Sequence, residues 1–503
     1  MKRILRKASV LLMASAMLLA YSCSDDNTNE GGGNGDGGNG GTTEVDPLLF
    51  ENGTQLGNGD AEYEFKGKYT LKKGTYLMKG WIYVTEGSEL TIEPGTVIKG
   101  DKETKASLIV ERGGKLIAQG TASEPIVFTS EMEPGNRRPG DWGGIILCGR
   151  AKNNKTVMQI EGGPRSEHGG DNDADNSGVL SYVRVEFAGY PFNPDEEING
   201  VTFGSVGSGT KVDHVQVSYC NDDSFEWFGG CVNAQYLIAY HGWDDEFDTD
   251  NGYSGKVQYA LSVRNPRIAD TSVSNGFESD NNADGAATSP FTSAVFSNVT
   301  FVGPIGQDPA FMNESSYINA GDVNPNNGSK LGQFQAAMQV RRNSRLSCFN
   351  SVAMGYPVGV IIENDKGSTT QDWATNGLLK LRNIYFAQMT ILGSDKNKSF
   401  VNESAADPSQ PSFSVTFFQK PENNNTVLTN ISDLMLRQPN SLQASPNYGP
   451  VAGSPLVGKT GLFTDPMLSG FEEVDYIGAF KSDSDADNWT LGWAEFDPQN
   501  KVY

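Results

Sequence analysis

The sequence predicts an all-β solenoid, in which the chain winds through stacked coils of short strands. A near-repeat of 22 residues relates residues 214–219 to residues 236–241, and a second repeat, of 26 residues, runs through residues 82–118. Short β-branched and aromatic stretches, separated by glycine-containing turns, favour β-structure. Because such repeats are typical of solenoids, we expect one continuous body rather than the roughly three domains that the chain length suggests.

Strands follow one another in order along this body. Residues 125–129 and 141–147 are short apolar runs of the kind expected in a buried wall. Residues 183–187 match residues 215–219 across 32 residues, and we interpret the excess length as a loop at residues 191–197. Residues 46–503 are therefore predicted to be a single domain, with a capping segment at the C-terminus.

The N-terminus carries the clearest targeting signal. Basic residues precede an apolar run from Ala8 to Tyr21, which is too short and wrongly flanked to form a stable membrane span. Residues 1–22 resemble a bacterial lipoprotein signal peptide, and Cys23 is the predicted lipidation site. The acidic pair Asp25 and Asp26 resembles the signal that sends lipoproteins of the Bacteroidota to the outer face of the outer membrane.

A tether is predicted between the lipid and the folded body. Residues 23–45 are rich in glycine and cannot bury a core, so we expect them to be flexible. The whole chain has a net charge of -23, from 39 basic and 62 acidic residues. Nucleic acid is excluded as an expected partner, since phosphate binding needs basic patches.

Four cysteines remain after Cys23, and none has the spacing of a zinc site. Cys220 and Cys231 are half a coil apart, so they are expected to start on different walls. Buried free thiols are favoured over a disulfide between them, and Cys148 and Cys348 offer no dense disulfide framework.

The 22-residue register aligns acidic side chains. If Phe225, Phe247 and Phe277 point inward, alternation along the strands sends the acids outward, where they stack on one another. Like charges about 4.8 Å apart repel by roughly 3 kcal/mol at an effective dielectric of about 20. Calcium, a basic ligand or arginines from an adjoining loop would each offset that repulsion, unless the acids splay into water. The predicted metal-ligating residues are Glu226, Asp248, Asp250, Glu278 and Asp280.

Aromatic residues flank these acids. Aromatic faces beside carboxylates hold sugar rings or cations, so Phe228, predicted to face outward, and Trp243 are the candidate ligand-binding residues. Trp227 is expected in the core.

A catalytic function would need a base near the acids. Arg342 and His241 are the candidates, although Arg341, Arg342 and Arg345 are expected chiefly in salt bridges or at the edge of the ladder. If that stretch is extended, Arg341 and Arg345 face away from Arg342. His214 and His241 are expected at equivalent positions one coil apart, as a structural stack. The chain has no nucleophile elbow, P-loop or HExxH motif.

Several motifs carry a family resemblance. The segments LTIEPGTVIKG, DWGGIILCG, VQVSYCNDDSFEWFGG and GWDDEFDTDNGYSG are similar to those of Bacteroidota surface lipoproteins with a right-handed parallel β-helix fold. The resemblance spans roughly residues 60–503.

That resemblance implies a surface-anchored protein that captures a nutrient beside a TonB-dependent outer-membrane transporter. A glycan or small molecule is the expected ligand. A calcium-dependent polysaccharide lyase or glycoside hydrolase, and a structural or adhesive surface protein, remain alternatives. An open groove with convergent acids, a base and aromatic walls would favour the enzyme, whereas a loop-covered acid ladder would favour the binder.

Overall fold

The computed structural model describes residues 46–155, 157–193, 196–438 and 446–503. Within those ranges Asp46–Tyr503 forms a compact unit. The predicted signal peptide, lipidation site Cys23 and tether lie outside the described residues, so they stay predictions. No helix in the described ranges is long and apolar enough to cross a membrane.

Two long sheets of parallel strands, called here the first and second sheets, make up this unit. The first sheet contains 18 strands: Leu48–Phe50, Gln55–Leu56, Lys68–Leu71, Thr75–Met78, Glu89–Ile92, Val97–Gly100, Lys115–Gln119, Ile126–Ser130, Gly178–Glu186, Lys211–Ser218, Ala234–Tyr240, Lys256–Val263, Val295–Val302, Ser347–Phe349, Val352–Met354, Leu381–Arg382, Tyr385–Ala387 and Thr426–Leu428.

The second sheet contains 11 strands: Tyr63–Phe65, Trp81–Val84, Ser107–Val110, Gly144–Cys148, Val201–Gly204, Phe225–Phe228, Phe247–Asp250, Phe277–Ser279, Ala336–Val340, Val358–Ile362 and Ile391–Ser394. Two short antiparallel pairs lie outside both sheets: Met158–Gln159 with Glu167–His168, and Pro191–Asn193 with Glu196–Glu197.

Helices are few and short in the described ranges. The α-helices are Pro304–Gln307, Thr370–Thr375 and Phe413–Phe418. Single 3₁₀ turns stand at Gly321–Val323, Pro421–Asn423, Ile431–Leu434, Pro466–Leu468 and Asp485–Asp487.

The registers predicted from the sequence repeats are confirmed. Ile82 pairs with Leu108 across the 26-residue repeat, and Val183 pairs with Val215 across 32 residues. In the second sheet Phe225, Phe247 and Phe277 pair in succession. Since strands of successive coils pair in parallel, the fold is the predicted all-β parallel β-helix.

Inward-pointing aromatic rings stack along the axis of the coils. The ring centroids of Phe225 and Phe247 are 5.8 Å apart, and those of Phe247 and Phe277 are 5.9 Å apart. All three side chains are completely buried. Burying each ring stabilises the fold by about 1.5–3 kcal/mol, so this row fixes which face of each strand points inward.

Bends in the long strands of the first sheet occur at residues with left-handed backbone conformation. Tyr182, His214, Tyr236 and Tyr259 have φ between 51° and 61° and stack ring on ring. A positive φ is uncommon outside glycine, and its repetition in register turns the wall at the same point in every coil.

The two histidines belong to different stacks, so their expected equivalence is wrong. The His214 ring lies 4.2 Å from Tyr182 and 4.4 Å from Tyr236, at the mid-strand bend. His241 lies beside Tyr219, at the end of the strands, with ring centroids 5.1 Å apart. The 22-residue shift that places His214 on Tyr236 places Tyr219 on His241.

All four described cysteines are free. Cys148, Cys220 and Cys348 are buried and Cys231 is half-buried, in agreement with free thiols as the favoured state. Burial raises the pKa of Cys348 to about 12, so this thiol stays protonated and unreactive.

The C-terminal segment, residues 446–503, runs back along the first sheet. Arg137 donates to the carbonyls of Pro498 and Lys501, at 2.6 and 2.8 Å, and the Trp493 ring packs edge-on against Tyr182 and His214. The segment therefore covers the outward aromatic stack along the side of the coils.

Candidate functional site

A cavity of about 490 Å³, called here the acidic cavity, opens over the second sheet. Strands Phe225–Phe228 and Phe247–Asp250 supply its floor, and inserted loops supply its walls. Its lining residues are Glu161, Pro191, Phe192, Asn221, Asp222, Asp223, Glu226, Asp244, Asp245, Asp248, Asp270, Thr271, Ser272, Glu278, Asn327, Gly328, Ser329, Lys330 and Arg341.

The predicted acid ladder forms this floor. Glu226 pairs with Asp248, and Asp248 pairs with Glu278, in adjacent parallel strands. Their side chains leave the coil on the face opposite the phenylalanine row. Glu226 is only 6 % exposed, and Asp248 and Glu278 are half-buried, so none of the three side chains extends freely into water.

Arginines neutralise one end of the ladder. Arg341 follows strand Ala336–Val340 and forms ion pairs with Glu278 and with Asp280, the latter at 2.9 Å. Arg342 forms a second ion pair with Asp280. Arginines from an adjoining loop were one of the three partners predicted for the acids, and here they are present.

The backbone at these arginines departs from the expected extended strand. Arg342 and Asn343 have φ of 48° and 69°, so the chain turns in the left-handed region. The condition for Arg341 and Arg342 to face opposite sides, a fully extended strand, is therefore not met, and both side chains reach Asp280. Arg345 lies apart, with its guanidinium 3.7 Å from the Phe291 ring centroid and 4.0 Å from that of Trp373.

At the other end of the ladder, acids converge on one another. Carboxylate oxygens of Asp223, Glu226 and Asp248 lie within 4.8 Å of one another, and those of Asp222, Asp223 and Asp244 form a second such group. Within the described ranges, no lysine or arginine forms an ion pair with Asp223, Glu226 or Asp248.

Neutral donors satisfy only part of this second end. The Asn199 amide donates to Glu226, and the backbone N–H of Asp245 donates to Asp223 at 2.8 Å. The Oδ1 atoms of Asp244 and Asp248 are buried without a hydrogen-bond partner among the described residues. An unpaired buried carboxylate oxygen is costly, so this end of the ladder is incomplete as it stands.

Protonation is one response to this crowding. Burial raises the pKa of Asp223, Glu226 and Asp248 well above the usual range, and neighbouring acids raise each further. Burial also raises the pKa of Asp245, to about 6, against donation from the Asn275 backbone and the charge of Arg264. Binding of a cation would displace these protons.

The donor set suits a hard divalent cation. Calcium takes six to eight oxygen ligands at about 2.3–2.6 Å, so oxygens up to about 5 Å apart can share one ion. Asp223, Glu226 and Asp248 meet that requirement, with further positions left for carbonyl oxygens, water or ligand.

The predicted metal set is therefore divided by the structure. Glu226 and Asp248 lie in the open end, whereas Glu278 and Asp280 are taken by arginines. Asp250 does not line the cavity, because it follows Asp248 by two residues and lies beyond its edge, opposite Phe228. Asp223 was missed as a ligand, although its match to Asp245 in the 22-residue repeat marks it.

Neither aromatic residue expected to bind ligand lines the acidic cavity. Trp243 is 1 % exposed and belongs to the apolar cluster outside the first sheet. Phe228 packs against the apolar cluster that contains Cys148 and Ile160. Each ring is used for packing, so the structure brings neither of them to the acidic cavity, and ligand binding by Phe228 and Trp243 stays a prediction. Phe192, from the inserted hairpin, is the aromatic residue that faces the cavity.

The two candidate bases are also displaced. His241 is buried away from the cavity, and burial, with the charge of Arg264, lowers its pKa to about 3. His241 does not line the acidic cavity, so it cannot accept a proton from a ligand bound there. Arg342 is bound to Asp280 outside the cavity lining, whereas Arg341 lies within it.

Comparisons with known proteins place the chain by fold. Residues 63–427 match the pectate-lyase-like β-helix domain. No curated protein matches the chain. One solved structure that is similar is the Dettilon tailspike protein, at 9 % identity and a TM-score of 0.26, over 65 % of this chain and 62 % of that protein. The chain thus spans under two thirds of the tailspike's length, and a likeness this low carries no argument about function.

Proposed function

Because this chain belongs to the pectate-lyase-like β-helix family, we propose that it is a surface lipoprotein that binds its ligand through a calcium ion in the acidic cavity. One observation carries the proposal: Asp223, Glu226 and Asp248 converge within 4.8 Å without a basic partner among the described residues. Glu278 is neutralised by Arg341, whereas Asp248 on the neighbouring strand has no such ion pair among the described residues. We infer that Asp248 and its neighbours bind a cation from solution.

The loops that line the acidic cavity favour ligand binding over catalysis, because they cover the acid ladder. Loop residues Thr271, Ser272 and Asn327 to Lys330 stand over the ladder. Their arrangement leaves about 490 Å³, the size of a site for a small molecule or a sugar unit. A bound calcium ion would supply positive charge and open coordination positions to the ligand, and the loop residues would define the shape of the ligand-binding cavity.

Anchorage and partnership complete the proposal from the sequence. Lipid on Cys23 and the acidic pair that follows it support display on the outer membrane. A glycan or small-molecule ligand, passed to a TonB-dependent transporter, is the role that the family resemblance supports.

Calcium dependence is tested by thermal unfolding of the purified protein. A ligand that binds only the folded state stabilises it by RT ln(1 + [L]/Kd), about 2.7 kcal/mol at 100 times Kd. We expect chelator to lower Tm and excess calcium to restore it. A Tm that is unchanged by chelator and by excess calcium would contradict the proposal.

Anchorage is tested by Cys23→Ser. The variant is expected to leave the membrane fraction or to stay unprocessed, because the lipid has no other attachment point. Cys231→Ser is the matched control, since it removes a half-buried thiol from the folded body and should leave fractionation unchanged. Equal membrane association of the Cys23 variant and the control would contradict lipidation at Cys23.

A lyase is the second candidate, and the position of Arg341 favours it. This residue lines the acidic cavity, and burial lowers the pKa of its guanidinium. Beside calcium it could abstract the proton next to a uronate carboxylate, although its ion pairs with Glu278 and Asp280 hold its charge.

Turnover is tested with acidic and neutral polysaccharides. We expect neither unsaturated products absorbing in the ultraviolet nor new reducing ends. Products that disappear in a folded Arg341→Lys variant would replace the binding proposal with the lyase.

A further inference from the structure

The acidic cavity keeps an excess of negative charge when one divalent cation is bound. Nine side chains with carboxylate groups line it, against the two cations of Lys330 and Arg341. Protons balance part of this excess, because burial and neighbouring acids raise the pKa of Asp244 well above the usual range. A second cation would replace such protons, whereas an acidic ligand would add to the excess.

Two groups of acids in this cavity have Asp223 in common. The first group, Asp223, Glu226 and Asp248, is the proposed calcium site. In the second group, carboxylate oxygens of Asp222, Asp223 and Asp244 also lie within 4.8 Å of one another. Because a carboxylate has two oxygens, Asp223 can serve both groups. The second group therefore stays available to another cation when calcium occupies the first.

Buried oxygens without a partner occur in both groups. Asp223 and Glu226 are 8 % and 6 % exposed, and each accepts one hydrogen bond within the described ranges, from the Asp245 backbone and the Asn199 amide respectively. Oδ1 of Asp244 is buried without a hydrogen-bond partner among the described residues. Since such oxygens are costly to bury, the cavity needs positive charge and hydrogen-bond donors from a bound group.

A primary ammonium group fits the second group by geometry. Its three N–H donors point in tetrahedral directions, so N–H···O distances of about 2.8 Å place the three acceptor oxygens about 4.6 Å apart. A guanidinium differs, because its donors lie in one plane and suit a bidentate contact with a single carboxylate. Three converging acids therefore favour an ammonium group over a guanidinium group.

The rest of the cavity suits a body that is partly apolar. Phe192 faces the cavity, and the space of about 490 Å³ accommodates a sugar unit or a short aliphatic chain. An aromatic face also attracts a nearby cation. Carboxylates on several sides offset the repulsion between calcium and a second positive group.

We propose that the ligand of the acidic cavity carries a primary ammonium group, which Asp222, Asp223 and Asp244 bind beside the calcium ion. An amino sugar has this group together with hydroxyl oxygens that can complete the coordination of calcium, and a polyamine has the ammonium groups alone. The inference rests on the proposed function for the acidic cavity as the ligand site.

The test measures binding by calorimetry, with calcium present. The probes are the disaccharide of glucosamine, its N,N′-diacetyl form and spermidine. The two disaccharides share their rings and hydroxyl groups and differ in the ammonium charge, so the comparison on the wild type needs no variant.

Asp244→Asn is the site variant, because Asp244 belongs to the second group of acids and not to the first. Glu103→Gln is the matched control, since it removes the same charge from an exposed side chain that does not line the acidic cavity.

We expect an ammonium probe to bind the wild type and the control, and to bind Asp244→Asn at least about tenfold more weakly, because one of three charge-assisted hydrogen bonds is lost. The diacetyl disaccharide should bind the wild type at least about tenfold more weakly than the glucosamine disaccharide. Calcium titrated alone should bind the three proteins within about threefold. Binding of spermidine without binding of either disaccharide would support the ammonium site and assign it to a polyamine.

The outcomes separate this inference from the proposed function. Equal affinity for the two disaccharides, equal losses in Asp244→Asn and Glu103→Gln, or no binding of either ammonium probe while calcium binds would overturn the ammonium site alone. Ammonium binding without calcium binding would overturn the calcium site alone. A wild type that binds neither calcium nor an ammonium probe would overturn both proposals.

Discussion

The two ends of the acid ladder are built from carboxylates on or beside adjacent strands of the second sheet, yet they are completed differently. At one end, Glu278 and Asp280 meet the guanidinium groups of Arg341 and Arg342. At the other, Glu226 and Asp248 meet each other and Asp223. The arginine end shows how this fold neutralises stacked acids when only stability is at stake. The open end carries a cost that neutral donors such as the Asn199 amide offset only in part, which marks it as a candidate site.

Loss of the arginine should have the largest effect in this comparison. Arg341→Met leaves Glu278 and Asp280 buried with one guanidinium fewer, and removal of one partner from a buried pair costs about 3–5 kcal/mol. We expect the free energy of unfolding in urea to fall by that order.

Arg437→Met is the control for that measurement. It removes an ion pair with Asp485 that is open to solvent on both sides, and exposed pairs are worth about 0–1 kcal/mol. Comparable losses in the two variants would mean that Arg341 is not a structural counter-charge.

Neutralising an acid at the open end should raise the free energy of unfolding, whereas loss of Arg341 should lower it. Asp248→Asn removes a carboxyl whose ionisation beside Glu226 is unfavourable, so in chelator at neutral pH the variant should be more stable than the wild type, by roughly 0.5–2 kcal/mol. Glu278→Gln, one rung along, removes a partner of Arg341 and should be less stable than the wild type. Urea unfolding of both variants in chelator measures the two signs, and a shared sign would break the distinction between the ends.

The dependence of stability on pH is the smallest of these effects. Carboxyl groups with raised folded pKa values bind more protons in the folded state than in the unfolded state. Their stabilising contribution is complete below the unfolded pKa of about 4, and it is lost as pH rises through the folded pKa, about 6 for Asp245. Without calcium, Tm should therefore fall between about pH 6.5 and pH 8. Below about pH 6.5 the buried His168 and His241 act in the opposite direction, because their folded pKa values are lowered to about 3 and only the unfolded chain binds their protons.

Calcium and the Asp248→Asn substitution should each flatten that profile, because each removes the repulsion that raises the pKa of the cluster. Asp213, whose pKa is lowered, does not interfere, since it titrates below this window. A Tm that rises across the window in chelator would contradict the assignment of protons to the open end.

The sequence predicted the coils and the ladder because both depend on periodicity. Phe225, Phe247 and Phe277 recur at the positions that point inward, and this alternation fixes where Glu226, Asp248 and Glu278 point. Burial of the three phenylalanines and the pairing of the acids follow directly from that register.

The rest of the site lies in inserted loops, which do not follow the sequence repeat of the coils. Phe192, Asp270 and Lys330 reach the acidic cavity from three separate insertions, and nothing in their spacing brings them together. The left-handed turn at Arg342 is not marked by a glycine, so the sequence did not show that Arg341 turns toward the acids. Trp243 lies next to the ladder in sequence, but its ring is needed for packing against the outer apolar cluster.

Calcium titration of three proteins by calorimetry tests the central claim most directly. The account predicts that wild type binds calcium, that Asp248→Asn weakens this binding at least about tenfold, and that Glu278→Gln changes it by less than about threefold, since Glu278 already has Arg341 as its partner. A wild type without calcium binding, or equal losses in the two variants, would contradict the claim that the open end of the ladder is the cation site.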